Sequence, residues 1–170
     1  RKKNAMLFHR YTSSEGVLLI SIFLSILGLV SLWYVNISAF AIGLLIIFIG
    51  LLYSIPPVRL KTFPPFDSIV NSLMISTFPF ILGWVTSGKS LTTISIIYLL
   101  IFYLFIKAYV IIYTAMDIKT DEKFGIKTSC TKLGLKNSII ISILIIFISI
   151  ILSILFLGLT SPFTISALAS

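Results

Sequence analysis

Two carboxylates one helical turn apart, Asp117 and Asp121, stand at the end of a long apolar run, and Gly125-Ile-Lys-Thr128 follows them. Acids at i and i+4 share a helical face, about 5–6 Å apart at Cβ. That spacing suits two oxygen ligands on Mg²⁺, which takes one or two carboxylates and completes its shell with substrate phosphate oxygens. A diphosphate held by such a cation is a better leaving group. Gly125 and Thr128 suit a turn that offers backbone N–H groups and a hydroxyl. Taken alone, a pair of acids at a helix end is more often a solvated face.

Two further features add to the pair. In Tyr53-Ser-Ile-Pro-Pro-Val-Arg59-Leu-Lys61 the prolines end a helix and stiffen the loop, which holds Arg59 and Lys61 near a membrane surface. A guanidinium fork and a compact ammonium both suit phosphate oxygens. At 100° per residue, Tyr103, Lys107, Thr114, Asp117 and Asp121 fall within an arc of about 80°. Such a polar stripe should face a cavity. Lys107 would lie about 15 Å deeper than Asp117. Facing lipid there would cost at least about 2.5–3.5 kcal/mol, so Lys107 needs a partner or a wet pocket. A structural and a catalytic role are both open for it. Asp67 and Asn71 share a helical face and could read an acceptor. The alternative for Asp67 is a helix N-terminal charge favoured by the dipole.

The elements that must position these residues are membrane helices. The chain is 58% hydrophobic and 11% charged, with a mean hydropathy of +1.15. Soluble domains carry about 25% charged residues. Val17–Tyr34, Ile37–Tyr53, Ser68–Gly88, Ser90–Met116 and Asn137–Ser170 hold a single charge among them, Lys107. A helix of roughly 20 residues spans a hydrocarbon core. The last run is too long for one span, and Thr160-Ser161-Pro162 breaks it. The expectation is an all-α polytopic transmembrane helix bundle of five spans plus the start of a sixth. Barrel strands would be shorter and would alternate in polarity. The first run lacks a signal-peptide cleavage site and is followed by further spans.

Assigning alternate loops to opposite faces puts Arg1, Lys2, Lys3, Arg10, Arg59, Lys61, Lys119, Lys123, Lys127, Lys132 and Lys136 on one side, with Lys89 on the other. That asymmetry marks the basic face as cytoplasmic. It accounts for the net charge of +8 without nucleic acid, because the cations lack a clustered stripe. All five acids lie on the same face. His9 is isolated in a basic segment, Cys130 is a single cytosolic thiol, and no P-loop, zinc pattern or catalytic triad occurs.

Jointly, Tyr53–Lys61, the acids Asp117 and Asp121, Gly125–Thr128 and Leu133-Gly134 resemble the UbiA superfamily of intramembrane prenyltransferases, over nearly the whole chain. The resemblance implies nine transmembrane helices around a cavity, of which this chain would hold the third to the seventh and the start of the eighth. It implies Mg²⁺-dependent transfer of an isoprenyl group from an isoprenyl diphosphate to a lipophilic acceptor in the membrane. Asp117 and Asp121 would be metal ligands, and Tyr53, Arg59, Lys61 and Lys127 diphosphate contacts. The acceptor would be a quinone precursor, a carotenoid or a glycerolipid. Pro65-Phe-Asp67-Ser68 with Asn71, and the run from Gly125 to Gly134, resemble most the lycopene elongase branch. The family's first Asp-rich motif does not occur between residues 1 and 170. The expectation is therefore a partial prenyltransferase domain that is inactive by itself. Two other classes stay open on the residues alone. One is a transporter segment with Lys107 and the helix-end acids as its site, and the other is an inactive membrane scaffold.

Overall fold

The long helices among the described residues are built from side chains that need a lipid neighbour. In the computed structural model the described residues, 14–157, form helices and short connections, with no strand among them. They are α1 (Ser14–Val35), α2 (Ile37–Ser54), a 3-10 turn (Leu60–Thr62), α3 (Phe66–Ser72), a π segment (Leu73–Thr77), α4 (Phe78–Thr86), α5 (Thr93–Met116), α6 (Ile118–Lys123) and α7 (Ser129–Leu157). Five stretches are long and apolar enough to cross a membrane: Glu15–Val35, Ile37–Ser54, Phe66–Thr86, Thr93–Met116 and Ser129–Phe156. The all-α polytopic architecture is thus as expected. The expected helix break at Thr160-Ser161-Pro162, the start of a sixth span, His9 and the basic residues Arg1 to Arg10 lie outside the described residues.

Burial is inverted relative to a water-soluble core. The most deeply buried side chains are small or polar, among them Ala39, Ala108, Ser72, Ser76, Ser138 and Ser142, while Leu, Ile and Phe cover the outside. Lipid gives no hydrophobic drive for helices to pair, so close contact through small residues does the packing. The buried hydroxyls bond within their own helices. Ser72 donates to the Ser68 carbonyl at 2.6 Å, Ser76 to Ser72 at 2.7 Å and Ser142 to Ser138 at 3.0 Å. Among the described residues no buried hydroxyl is left without a hydrogen-bond partner.

The chain divides into two compact units, Arg1–Ile47 and Phe48–Ser170. In the first, Asn36 separates α1 from α2 and caps the latter, accepting the Ala39 N–H at 2.7 Å. Trp33 meets Phe40 edge to face at 5.1 Å. In the second, α5 packs along α7 and against α3 and the π segment. Ile111, Ala115, Ile118 and Cys130 form its buried cluster.

Three local devices shape the second unit. Thr92 and Ser95 form a reciprocal capping box, with Ser95 N–H on Thr92 Oγ1 at 3.2 Å and Thr92 N–H on Ser95 Oγ at 2.7 Å. It starts α5 at Thr93, three residues inside the uncharged run that opens at Ser90. The π segment precedes Pro79, which has no N–H to give. Gly134 adopts φ 74°, ψ 163° within α7 and divides a short first turn from the long span. The last described helix starts at Ser129, eight residues before Asn137, where the apolar run begins.

Gly125 (φ 64°) and Gly134 (φ 74°) both have open space where a Cβ would sit, so only the backbone opposes a side chain there. Gly125 lies in the left-handed helical region, which costs an L-residue about 1–2 kcal/mol. Gly134 lies where essentially only glycine goes, at about 1–3 kcal/mol. Gly134→Ala should therefore lower the thermal midpoint in detergent more than Gly125→Ala. The reverse order would contradict the backbone assignment.

Candidate functional site

The residues singled out by type and spacing gather in the second unit, at the ends of α2, α3, α5 and α6. Arg59 holds a left-handed conformation (φ 40°, ψ 58°) unusual for a residue with a Cβ. Its N–H donates to the Ile55 carbonyl at 3.1 Å, and its own carbonyl accepts from Thr62 N–H at 3.0 Å. The loop is thus tied at both ends around an exposed guanidinium.

Asp117 terminates α5 and opens α6 in a bridge conformation (φ −96°, ψ 0°). The polar stripe does not continue along one straight helix, because the axis bends here. The one-turn relation survives the bend, since Asp121 N–H donates to the Asp117 carbonyl at 2.9 Å. α6 ends in a Schellman turn, with Ile126 N–H on the Asp121 carbonyl at 2.9 Å and Gly125 N–H on Glu122 at 3.1 Å. Positive φ at Gly125 makes that turn possible.

These two loops face each other. Arg59, Thr62 and Phe63 from one and Phe124, Gly125, Ile126 and Lys127 from the other line a hollow of about 370 Å³. Arg59 and Lys127 thus line one hollow. Lys61 is half-buried in the 3-10 turn and does not line the hollow. Asp117 and Asp121 lie outside its lining, one at each end of the first turn of α6, the helix that leads into Phe124.

The acids form an electrostatic group. Burial pushes the Asp121 carboxyl above its ordinary value, and the charges of Asp117 and Asp67 push it further. Among the described residues no cluster of three or more His, Cys, Asp or Glu side chains is shaped to hold a metal. Two half-buried carboxylates whose charges reach each other are still a donor set that a hard divalent cation would relieve.

The proton balance of Asp121 has a consequence for stability. Between the unfolded and the raised folded value, the native state holds more protons than the unfolded chain. Stability must then fall as pH rises through that window, and the loss is complete above the folded value. Thermal midpoints measured in detergent without divalent cations should show this decline. Asp121→Asn should flatten it and melt above the wild type at neutral pH.

Asp67 bonds to a helix other than its own. It is buried, and its carboxylate accepts Ser129 N–H at 2.8 Å and Ser129 Oγ–H at 2.5 Å. Both bonds fall on the first turn of α7, where orphan N–H groups await a partner. Asp67 also stands in the first turn of α3, its own helix, where the dipole favours a negative charge. Lys107 Nζ donates to Ser68 Oγ at 2.9 Å, and Asp67 lies within its electrostatic reach. The deep lysine has the partner its depth demands. Asp67 is likewise within reach of the half-buried Tyr53, and Asn71 sits half-buried one turn after Asp67. Ser129 and Ser68 had no signal as partners in sequence, because each pairs with a residue far along the chain.

A family model described as the UbiA prenyltransferase family matches residues 1–170. No curated protein and no solved structure matches the chain. The chain belongs to the UbiA prenyltransferase family, and with it to the integral membrane prenyltransferases.

Proposed function

We propose that this UbiA-family chain transfers an isoprenyl group from an isoprenyl diphosphate to a lipophilic acceptor, with Mg²⁺ held by Asp117 and Asp121. The observation that carries it is the meeting of Arg59 and Lys127 across one hollow, at the end of the helix that bears both acids. When bound, Mg²⁺ would supply the charge neutralisation that makes diphosphate a better leaving group. Arg59 and Lys127 would take the outer phosphate oxygens, with Lys61 and Tyr53 at the margin. The C1–O bond breaks and its electron pair leaves with diphosphate. The allylic cation that remains is shielded from water by apolar walls and stabilised by aromatic faces. The acceptor attacks C1 and gives up a proton. Asn71 and Lys107 are the candidate contacts for the acceptor.

The positive-inside asymmetry supports a cytoplasmic position for these loops. The acceptor is a quinone precursor, a carotenoid or a glycerolipid, and the Pro65–Asn71 pattern favours a carotenoid of the lycopene elongase kind. The test uses the full-length protein in membranes with labelled isoprenyl diphosphate and each acceptor class in turn. Transfer of label to one acceptor, with stoichiometric diphosphate release that stops on chelation and returns with Mg²⁺, is expected. Absence of release with every acceptor would reject the reading.

A further inference from the structure

The Lys127 segment is hinged at both ends. Gly125 (φ 64°) lies before it and Gly134 (φ 74°) after it, and neither has a neighbour where a Cβ would sit. Between the hinges, Thr128 and Thr131 cap one another. Thr131 N–H meets Thr128 Oγ1 at 3.2 Å, and Thr128 N–H meets Thr131 Oγ1 at 2.8 Å. That turn is stiff, so whatever holds Ser129 also holds Lys127.

Asp67 does the holding. Its backbone N–H donates to the Phe63 carbonyl at 3.1 Å, which ties it to one wall of the hollow. Its carboxylate takes both the N–H and the hydroxyl of Ser129, at 2.8 and 2.5 Å, across 62 residues of sequence. A second hollow of about 290 Å³, lined by Pro64, Pro65, Ser129, Lys132 and Leu133, lies along the same seam. The two loops are thus separated by open space in two places and joined by hydrogen bonds at Asp67.

We propose that Asp67 is a positioning residue that fixes the Lys127 segment opposite Arg59, so that both cations meet the diphosphate together. This rests on the prenyl-transfer reading for its substrate, though the clamp itself does not. Binding of the diphosphate should depend on it more than turnover does, because Asp67 touches neither the reacting carbon nor the leaving oxygen.

Cys130 gives a direct readout. It follows Ser129, is fully buried, and its thiol donates to the Ile111 carbonyl at 3.4 Å. In the full-length protein in membranes, maleimide modification of Cys130 is followed by peptide mass spectrometry. Asp67→Ala should speed it on the order of tenfold, and Asp67→Asn, which keeps an acceptor, by less. Ser129→Ala is the milder variant should Asp67→Ala fail to fold. In the same membranes the KM for isoprenyl diphosphate should rise about tenfold with kcat changed far less, and Asp67→Asn should recover part of it. Cys130 protected at the wild-type rate in Asp67→Ala and Ser129→Ala would overturn the proposal. So would faster modification with an unchanged KM, or an equal loss in kcat. A wild-type protein without prenyl transfer rejects the proposed function instead, and the clamp is then judged on the modification rates alone.

Discussion

Asp121→Asn should lower kcat/KM for prenyl transfer by about 10²–10³-fold, the usual scale for removing one group that stabilises developing charge. Asn has almost the shape of Asp, and the carboxyl is half-buried next to the charges of Asp117 and Asp67. The substitution removes a repelled charge from the cation-free protein. It should therefore raise the melting point at neutral pH while it removes activity. Opposite signs in one variant separate a functional carboxylate from a merely structural one. Asp117→Asn should likewise lower kcat/KM. The double variant should lose far less than the product of the two, since groups acting on one charge are not additive. The Mg²⁺ concentration for half activity should rise in each single variant. Diphosphate release within threefold of wild type in either would remove that acid from the site.

The spans were legible because lipid imposes one demand on every backbone polar group, and a long uncharged run meets it only as a helix. Their ends were less so. The start of α5 depends on the Thr92–Ser95 box, which lies inside the apolar run, and that of α7 on Thr128, which lies before the next one. The acids and the Arg59 loop carried local patterns, and both stand at helix ends in the second unit. Asp67 has partners that its neighbourhood in sequence did not point to. Its spacing from Asn71 describes one helical face, whereas its bonds go to Ser129 on another helix. Lys107 is the converse case. Its depth alone demanded a partner, and only the packing of α5 on α3 shows that partner to be Ser68.

Arg59 sets stability against activity in the opposite way from a core residue. A left-handed conformation costs an L-residue about 1–2 kcal/mol, and glycine bears none of it. Part of that gain is lost to the greater freedom of glycine in the unfolded chain. Arg59→Gly should thus stabilise the protein by up to about 1 kcal/mol, read as a higher melting point in detergent. It should also raise the KM for isoprenyl diphosphate about 10–100-fold, because a charge-assisted contact is gone. Lys127→Gln should weaken the same binding without any gain in stability, since Arg59 is the described non-glycine residue with positive φ. Both side chains line one hollow, so the double variant should fall short of the sum of the two losses. Arg59→Lys keeps the charge and the backbone cost but loses the fork, and it should lie between wild type and Arg59→Gly in affinity with unchanged stability. If Arg59→Gly melted lower than wild type, the loop's conformation would not be the source of strain. If it kept its affinity, the guanidinium would not face the diphosphate. A backbone held against its own preference, at the one position where a planar cation overlooks the hollow, is strain that a functional site can explain and packing cannot.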